Sequence, residues 1–436
     1  MHRISSKNYF YLAFFLEIIQ IITKTKHFKN LKSTNMKTAT QHHHLSFEDT
    51  SVAFAHQSDS KLRKTYFIFA MMNQNWLVKI GTFFIKLILK LGLPVKFLIK
   101  NTLFSQFCGG ESIETCQKTI ENLAKGKIGT ILDYSVEGED NEKDFDKTTE
   151  ELVRTINKAA QQATDIPFSV FKVSGIGSVD LLEKVQEHEE DLTTEDKAAF
   201  ARVRNRVDRL CKLAAELNVK IFLDAEETWI QDVIDNLCYE MMKKYNVGGK
   251  TIVYNTYQLY RWESLENLIK ACDKGRTEGY TVGGKLVRGA YIEKERRRAA
   301  EMEYKSPIHI TKEETDVDFD KAVHYAVDNI DVLSICLGTH NEDSCLLCVK
   351  LMEENGIAKN DARIWFAQLL GMSDNISYNL ANAGYNVAKY VPYGPVEAVM
   401  PYLFRRAEEN SSIAGQSSRE FLLVKKERER RTNKAV

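Results

Sequence analysis

One pattern constrains the fold of this 436-residue chain more than any other: from about residue 129 onward, short β-branched runs alternate with long helical stretches, eight times over. Strands are predicted at Thr130–Tyr134, Phe168–Val173, Lys220–Asp224, Ile252–Thr256, Gly284–Arg288, Leu333–Gly338, Arg363–Phe366 and Asn386–Tyr390. The intervening helices include Glu150–Ala163, Glu195–Leu217, Thr228–Tyr245, Val317–Ile330 and Asp343–Asn355. Strands joined through helices lie parallel, and a parallel sheet needs helices on its faces. Eight such units predict an α/β fold, a TIM-like (β/α)8 barrel. A doubly wound open sheet is the alternative, but Gly175 and Gly177 lack the third glycine and the acid of a dinucleotide fingerprint.

The barrel is expected to span residues 126–418, after a leader or disordered lead-in at 1–45 and a basic, apolar helical extension at 46–125. A charged tail at 419–436 follows, read from Val424 onward as a solvated helix. The apolar run Tyr9–Ile22 is too short to span a bilayer and fits neither a secretory signal nor a presequence, so Met36 is a candidate true start. No acidic residue stands between Asp59 and Glu111, and Lys79, Lys86 and Lys90 share one face of a helix predicted over Trp76–Leu93. Its wide apolar arc either lies on an anionic membrane surface or packs on the barrel with the lysines in water. Lys plus Arg equals Asp plus Glu at 60 each, so overall charge supports no nucleic-acid role and any anion site must be local. The eight cysteines include no pair of pairs at zinc spacing, and are expected to be buried free thiols with no metal site.

In a barrel, function gathers at the C-terminal strand tips. The predicted tips carry Asp133, Lys172, Asp224, Asn255, Arg288, Thr339 with His340, Gln368 and Tyr390, polar groups that a core does not need. One such residue at one tip is ordinarily a cap or turn former, but one at every tip points to a functional mouth. Beyond Tyr390, Gly394 and Pro395 end the last strand, and Val396, Val399, Met400 and Leu403 recur at helical spacing. That helix carries Arg405 and Arg406, which either converge on a carboxylate or phosphate or sit in water bonded to Glu409.

The segments Lys285-Leu-Val-Arg-Gly-Ala-Tyr291 and Thr339-His-Asn341, with the stretch from Tyr390 to Asn410, resemble the proline dehydrogenase family, flavoenzymes that begin proline breakdown. Phe222-Leu-Asp-Ala-Glu-Glu227, Tyr254-Asn-Thr-Tyr-Gln258, Phe366-Ala-Gln-Leu-Leu-Gly-Met372 and Tyr390-Val-Pro-Tyr-Gly394 follow in the family's order, from about Gly129 to Ser418. The resemblance implies a distorted (β/α)8 barrel with FAD across the strand tips. It implies that Arg405, Arg406 and Lys172 hold the carboxylate of L-proline, that Leu286, Tyr291 and Tyr390 wall the pyrrolidine ring, and that Asp224 is the nearby acid. Flavin contacts would fall at Asn255, Lys285, the backbone of Val287 and Gly289, Thr339 and His340, with Glu409 at the cofactor end. Lysine rather than arginine at position 285 resembles the monofunctional branch, which includes mitochondrial forms.

The implied reaction takes a hydride from proline C5 to the flavin, yields 1-pyrroline-5-carboxylate, and passes electrons to a membrane quinone. The implied location is the bacterial cytoplasm or inner-membrane face, or the mitochondrial matrix and inner membrane of a eukaryote. A hydroxyproline dehydrogenase is the nearest alternative, and in that branch a small serine stands where this chain has Tyr390. From other classes come a Schiff-base aldolase using Lys172 as nucleophile and a barrel that only binds an amino acid.

Overall fold

The structure, a computed structural model, describes residues 45–74, 99–135, 140–410 and 418–434. The basic helix expected over Trp76–Leu93 and the lead-in up to residue 44 lie outside the described residues. Among the described residues, eight parallel strands close into a barrel in sequence order: β1 (Gly129–Tyr134), β2 (Phe168–Phe171), β3 (Lys220–Leu223), β4 (Val253–Gln258), β5 (Val282–Val287), β6 (Leu333–Gly338), β7 (Ile364–Leu369) and β8 (Val387–Tyr393). The last two run past the ends predicted for them. In β8 the register pairs Asp133 with Pro392 and Tyr134 with Tyr393, and the carbonyl of Pro392 accepts the Gly109 N–H at 2.9 Å. A proline withholds only a donor, so the strand continues through it. Tyr390 is therefore inside the barrel wall rather than at its rim.

Alternation along each strand decides what each side chain meets. Ile131, Phe168, Val170, Phe222, Tyr254 and Tyr390 point inward, with the rings of Phe168 and Phe222 stacked at 4.5 Å between centroids. Gly283 makes room for this packing, since a Cβ there would meet the Tyr254 ring at 2.5 Å. At the N-terminal end of the barrel the Lys220 ammonium lies 5.2 Å from the Phe168 ring centre and 5.4 Å from that of Trp365, and donates to the Ala362 carbonyl at 2.8 Å. The outward residues, such as Leu132, Leu223, Leu286 and Leu337, form the larger core with the surrounding helices.

Among the described residues, the longer helices are α1 (Asp59–Met72), α2 (Gln117–Lys125), α3 (Glu142–Gln161), α4 (Val179–Glu187), α5 (Thr194–Glu216), α6 (Thr228–Tyr245), α7 (Ser264–Glu278), α8 (Ile292–Glu301), α9 (Lys312–Asp328), α10 (Glu342–Glu354), α11 (Asp374–Ala383), α12 (Met400–Glu409) and α13 (Arg419–Lys434). A second core joins Leu62 and Phe69 of α1, Leu403 of α12 and Leu423 and Val424 of α13. This corrects the reading of the tail as solvated: its charge hides one apolar stripe. Glu427 on that stripe is fully buried, yet satisfied by Arg430 Nε at 2.6 Å and Arg431 Nε at 2.7 Å, and Arg431 also donates to the carbonyls of Phe54 and Gln57. The N- and C-terminal segments thus clamp α12, the helix that carries both arginines. All eight cysteines are buried free thiols.

Candidate active site

Lys285 projects from β5 into the barrel and is 4% exposed. Its ammonium pairs with Asp224, which follows β3, and donates to Tyr390 Oη at 2.6 Å. Tyr390 in turn donates to Asp224 Oδ1 at 3.2 Å, and the ammonium stands 4.6 Å from the Tyr390 ring centre. A buried cation, a carboxylate and a phenol thus satisfy one another beneath the mouth, as buried charge requires. Burial, then Asp224, pushes the Tyr390 hydroxyl well above its ordinary range, so it remains a donor.

Lys172, the residue after β2, faces the same space. It lies near enough to Asp133, Glu226 and Tyr291 to pull the titration of each downward. Burial works the other way and raises Glu226 to about 7, although its carboxylate accepts the Ser174 N–H at 2.9 Å and the Ser174 hydroxyl. From above, α12 brings Arg405 within electrostatic reach of Tyr291. Arg406, next along the helix and 6% exposed, pairs with Glu409 and lies 5.0 Å over the ring of Tyr402. The Glu409 bond expected of a surface pair is therefore present, but on a buried guanidinium. Desolvation, followed by Lys389, Arg406 and Arg288, lowers the titration of His340, which is exposed at the mouth, below its ordinary range.

Two expected site residues are turned away. Leu286 follows Lys285 by one position, so strand alternation sends it outward, where it is 0% exposed among the helices. Asn255 also faces outward, donating from Nδ2 to Asp235 of α6 at 2.9 Å, and its Oδ1 has no partner. The Thr339 hydroxyl is engaged by Arg288 Nη1 at 2.7 Å. Val287 ends β5, and its carbonyl accepts the Leu259 N–H at 2.8 Å. Gly289 has φ +132°, and a Cβ there would meet the Tyr260 ring at 2.5 Å, so no other residue fits that turn. The structure adds Glu226 and Tyr402 to the mouth. Tyr402 precedes Arg406 by four residues, one helical turn, a spacing that could have identified it.

Leu286→Ala is accordingly expected to cost about 2–5 kcal/mol of stability, as core truncations do, with substrate KM unchanged. Urea unfolding beside steady-state kinetics checks this; unchanged stability with a raised KM would return Leu286 to the site.

The family model described as proline dehydrogenase matches residues 116–419. The chain is 32% identical over 428 residues to "Proline dehydrogenase 1, mitochondrial" of Dictyostelium discoideum, covering 88% of this chain and 74% of that protein. It is 42% identical over 235 residues to the Homo sapiens protein of the same name, covering 53% of this chain and 39% of that one. Among solved structures, proline utilization A from Bdellovibrio bacteriovorus, inactivated by N-propargylglycine, superposes with a TM-score of 0.66 at 20% identity, over 84% of this chain and 38% of that one. The last comparison bears on the fold, and supports the barrel.

Proposed function

Because the chain belongs to the proline dehydrogenase family and is an oxidoreductase acting on proline, we propose that its barrel mouth holds FAD beside L-proline and forms 1-pyrroline-5-carboxylate, with a quinone as electron acceptor. The observation that carries this reading is the convergence of Lys172, Arg405 and Arg406, from β2 and α12, on a mouth otherwise walled by Tyr291 and Tyr390. Three cations suit one small carboxylate. The site also fits a flavin: Tyr402 Oη and Arg406 Nε are buried without a protein partner.

In this reading Lys172, Arg405 and Arg406 fix the carboxylate, and the Tyr291 and Tyr390 rings fix the faces of the pyrrolidine. Arg406 with Glu409, His340, Lys285 and the backbone at Val287 and Gly289 would hold the cofactor. Bound flavin supplies the hydride acceptor. The protein contributes orientation, which presents one ring carbon and excludes water. Asp224 keeps the Lys285 charge neutralised, so that positive charge developing on the substrate nitrogen meets no bare cation. Several relatives are named as mitochondrial, and in a eukaryotic cell we place this chain there too. The basic segment 76–93 would bring the enzyme to an anionic membrane holding the quinone; sedimentation with anionic vesicles at low and high salt tests that role.

The protein is expected to purify yellow, and proline is expected to bleach the flavin band, with electrons recovered on a short-chain quinone. A colourless protein after FAD supplementation, or a flavin that proline leaves oxidised, would overturn the function. Proline is expected to be preferred over trans-4-hydroxy-L-proline by at least about tenfold in kcat/KM, because Tyr390 leaves an added hydroxyl buried without a partner. Paired assays on the wild type and Tyr390→Ser check this, and equal use of both substrates by the wild type would remove Tyr390 from the specificity argument.

A further inference from the structure

The turn that follows β7 is held from several directions at once. Lys389, 0% exposed and pointing outward from β8, donates to the carbonyls of Met372 and, at 3.3 Å, Leu369, and pairs with Asp374 at 2.9 Å. Gln57 Nε2 reaches Asp374 Oδ2 at 3.0 Å, and Gln106 Nε2 reaches the Gly371 carbonyl at 3.1 Å. These contacts satisfy carbonyls and Asp374. None of them holds Ser373.

Ser373 is the unusual residue of the turn. It occupies the N-cap position of α11, yet its backbone is left-handed at φ 50°, ψ 43°, and its hydroxyl makes no capping bond. A serine at an N-cap ordinarily spends its oxygen on the helix's first N–H groups, and a non-glycine left-handed residue persists only where its surroundings impose it. Here the Ser373 N–H donates to Glu420 Oε1 at 2.6 Å, and the hydroxyl lies 3.3 Å from the same oxygen and 2.8 Å from His340 Nδ1. Glu420 belongs to α13, which is already docked by Leu423, Val424 and the Glu427 cluster. The helix therefore does not need Glu420 to stay in place, and the carboxylate is used on the turn.

We infer that Glu420 is a positioning residue for the cofactor end of the mouth: by imposing the left-handed conformation of Ser373 it aims the serine hydroxyl at His340 and locks that ring, leaving Nε2 to face the cleft. The inference rests on the flavin reading above. It makes the C-terminal helix part of the active-site apparatus, acting across a chain separation of 80 residues through one serine. What Glu420 supplies is an acceptor oxygen in a fixed place, and glutamine offers the same oxygen.

The test compares E420A, E420Q and S373A as full-length proteins. Imidazole 15N resonances of His340, assigned by their loss in H340N and read without flavin, are expected to be well separated in the wild type and E420Q, as for one fixed tautomer, and to collapse toward their mean in E420A and S373A. Reconstitution with FAD is expected to weaken by about tenfold or more in E420A and by less than about threefold in E420Q, while the KM for proline of the flavin-saturated enzyme moves less than about twofold. A folded E420A with wild-type His340 resonances and wild-type FAD affinity would overturn the inference, as would an E420Q as impaired as E420A. Should E420A fail to fold, S373A decides: wild-type His340 resonances in it would equally overturn the proposal. Because the resonances are read on the flavin-free protein, they test the positioning of His340 even if the flavin reading itself fails.

Discussion

An Asp224→Ala variant is expected to lose about 3–5 kcal/mol of folding stability and nearly all turnover, because it strands a buried ammonium. The Lys285 and Asp224 side chains are 5% and 15% exposed, so solvent screens their attraction little, and truncation removes the carboxylate bonded to the cation, leaving the Tyr390 Oη hydrogen bond and the more distant Asp133 charge. The loss should come from the stranded charge rather than from the missing bond. Adding Lys285→Met to Asp224→Ala is therefore expected to restore much of the stability, while activity stays low. Chemical denaturation of the four members of this double-mutant cycle measures the coupling. Simple addition of the two single-variant losses would show that the pair does not act as a unit.

The second large effect concerns the two arginines, which neighbour each other in sequence but make different contacts. Arg405 acts on Tyr291 and on Glu409, whereas Arg406 bonds Glu409 directly, covers Tyr402 and acts on His340. A hydrogen bond to a charged group contributes about 1.5–3 kcal/mol, so Arg405→Met is expected to lower kcat/KM for proline about ten- to a hundredfold with flavin retained. Arg406→Met is expected to lower proline use by a similar factor and also to reduce the flavin-to-protein ratio, since it leaves Glu409 without its partner at the cofactor end. Absorbance ratios and steady-state assays separate the two. Equal flavin content in both variants would show that Arg406 serves the substrate alone.

The placement of Leu286 and Asn255 shows where motif reading and strand geometry part. A motif places Lys285 and Leu286 in one segment, but neighbours on a strand face opposite sides, and only Lys285 looks into the barrel. The same alternation turns Asn255 to α6 while Tyr254 points inward. The period-2 pattern of the strand carries that information. The strand ends failed differently. Gln368, expected at a tip, and Pro392, beyond the expected end of its strand, both sit inside strands because a parallel neighbour is there to pair with each.

What the sequence by itself determined is the repeated unit and the family: apolar periodicity and chain length between strands are local properties, and eight βα units leave few ways to bury their faces other than a closed barrel. The candidate mouth was legible in part, since Lys172 and Asp224 directly follow β2 and β3, where function gathers, whereas Tyr390 lies within β8 and Arg405 and Arg406 within α12. Only the tertiary structure decided the pairing of those groups. That Lys285 is neutralised by Asp224 under Tyr390, that Lys389 is a buried brace rather than a site lysine, and that Glu420 reaches Ser373 beside His340 are contacts between residues far apart in the chain. Such pairings depend on the angle and register at which packed elements meet, and a one-dimensional pattern of residue types does not encode those distances.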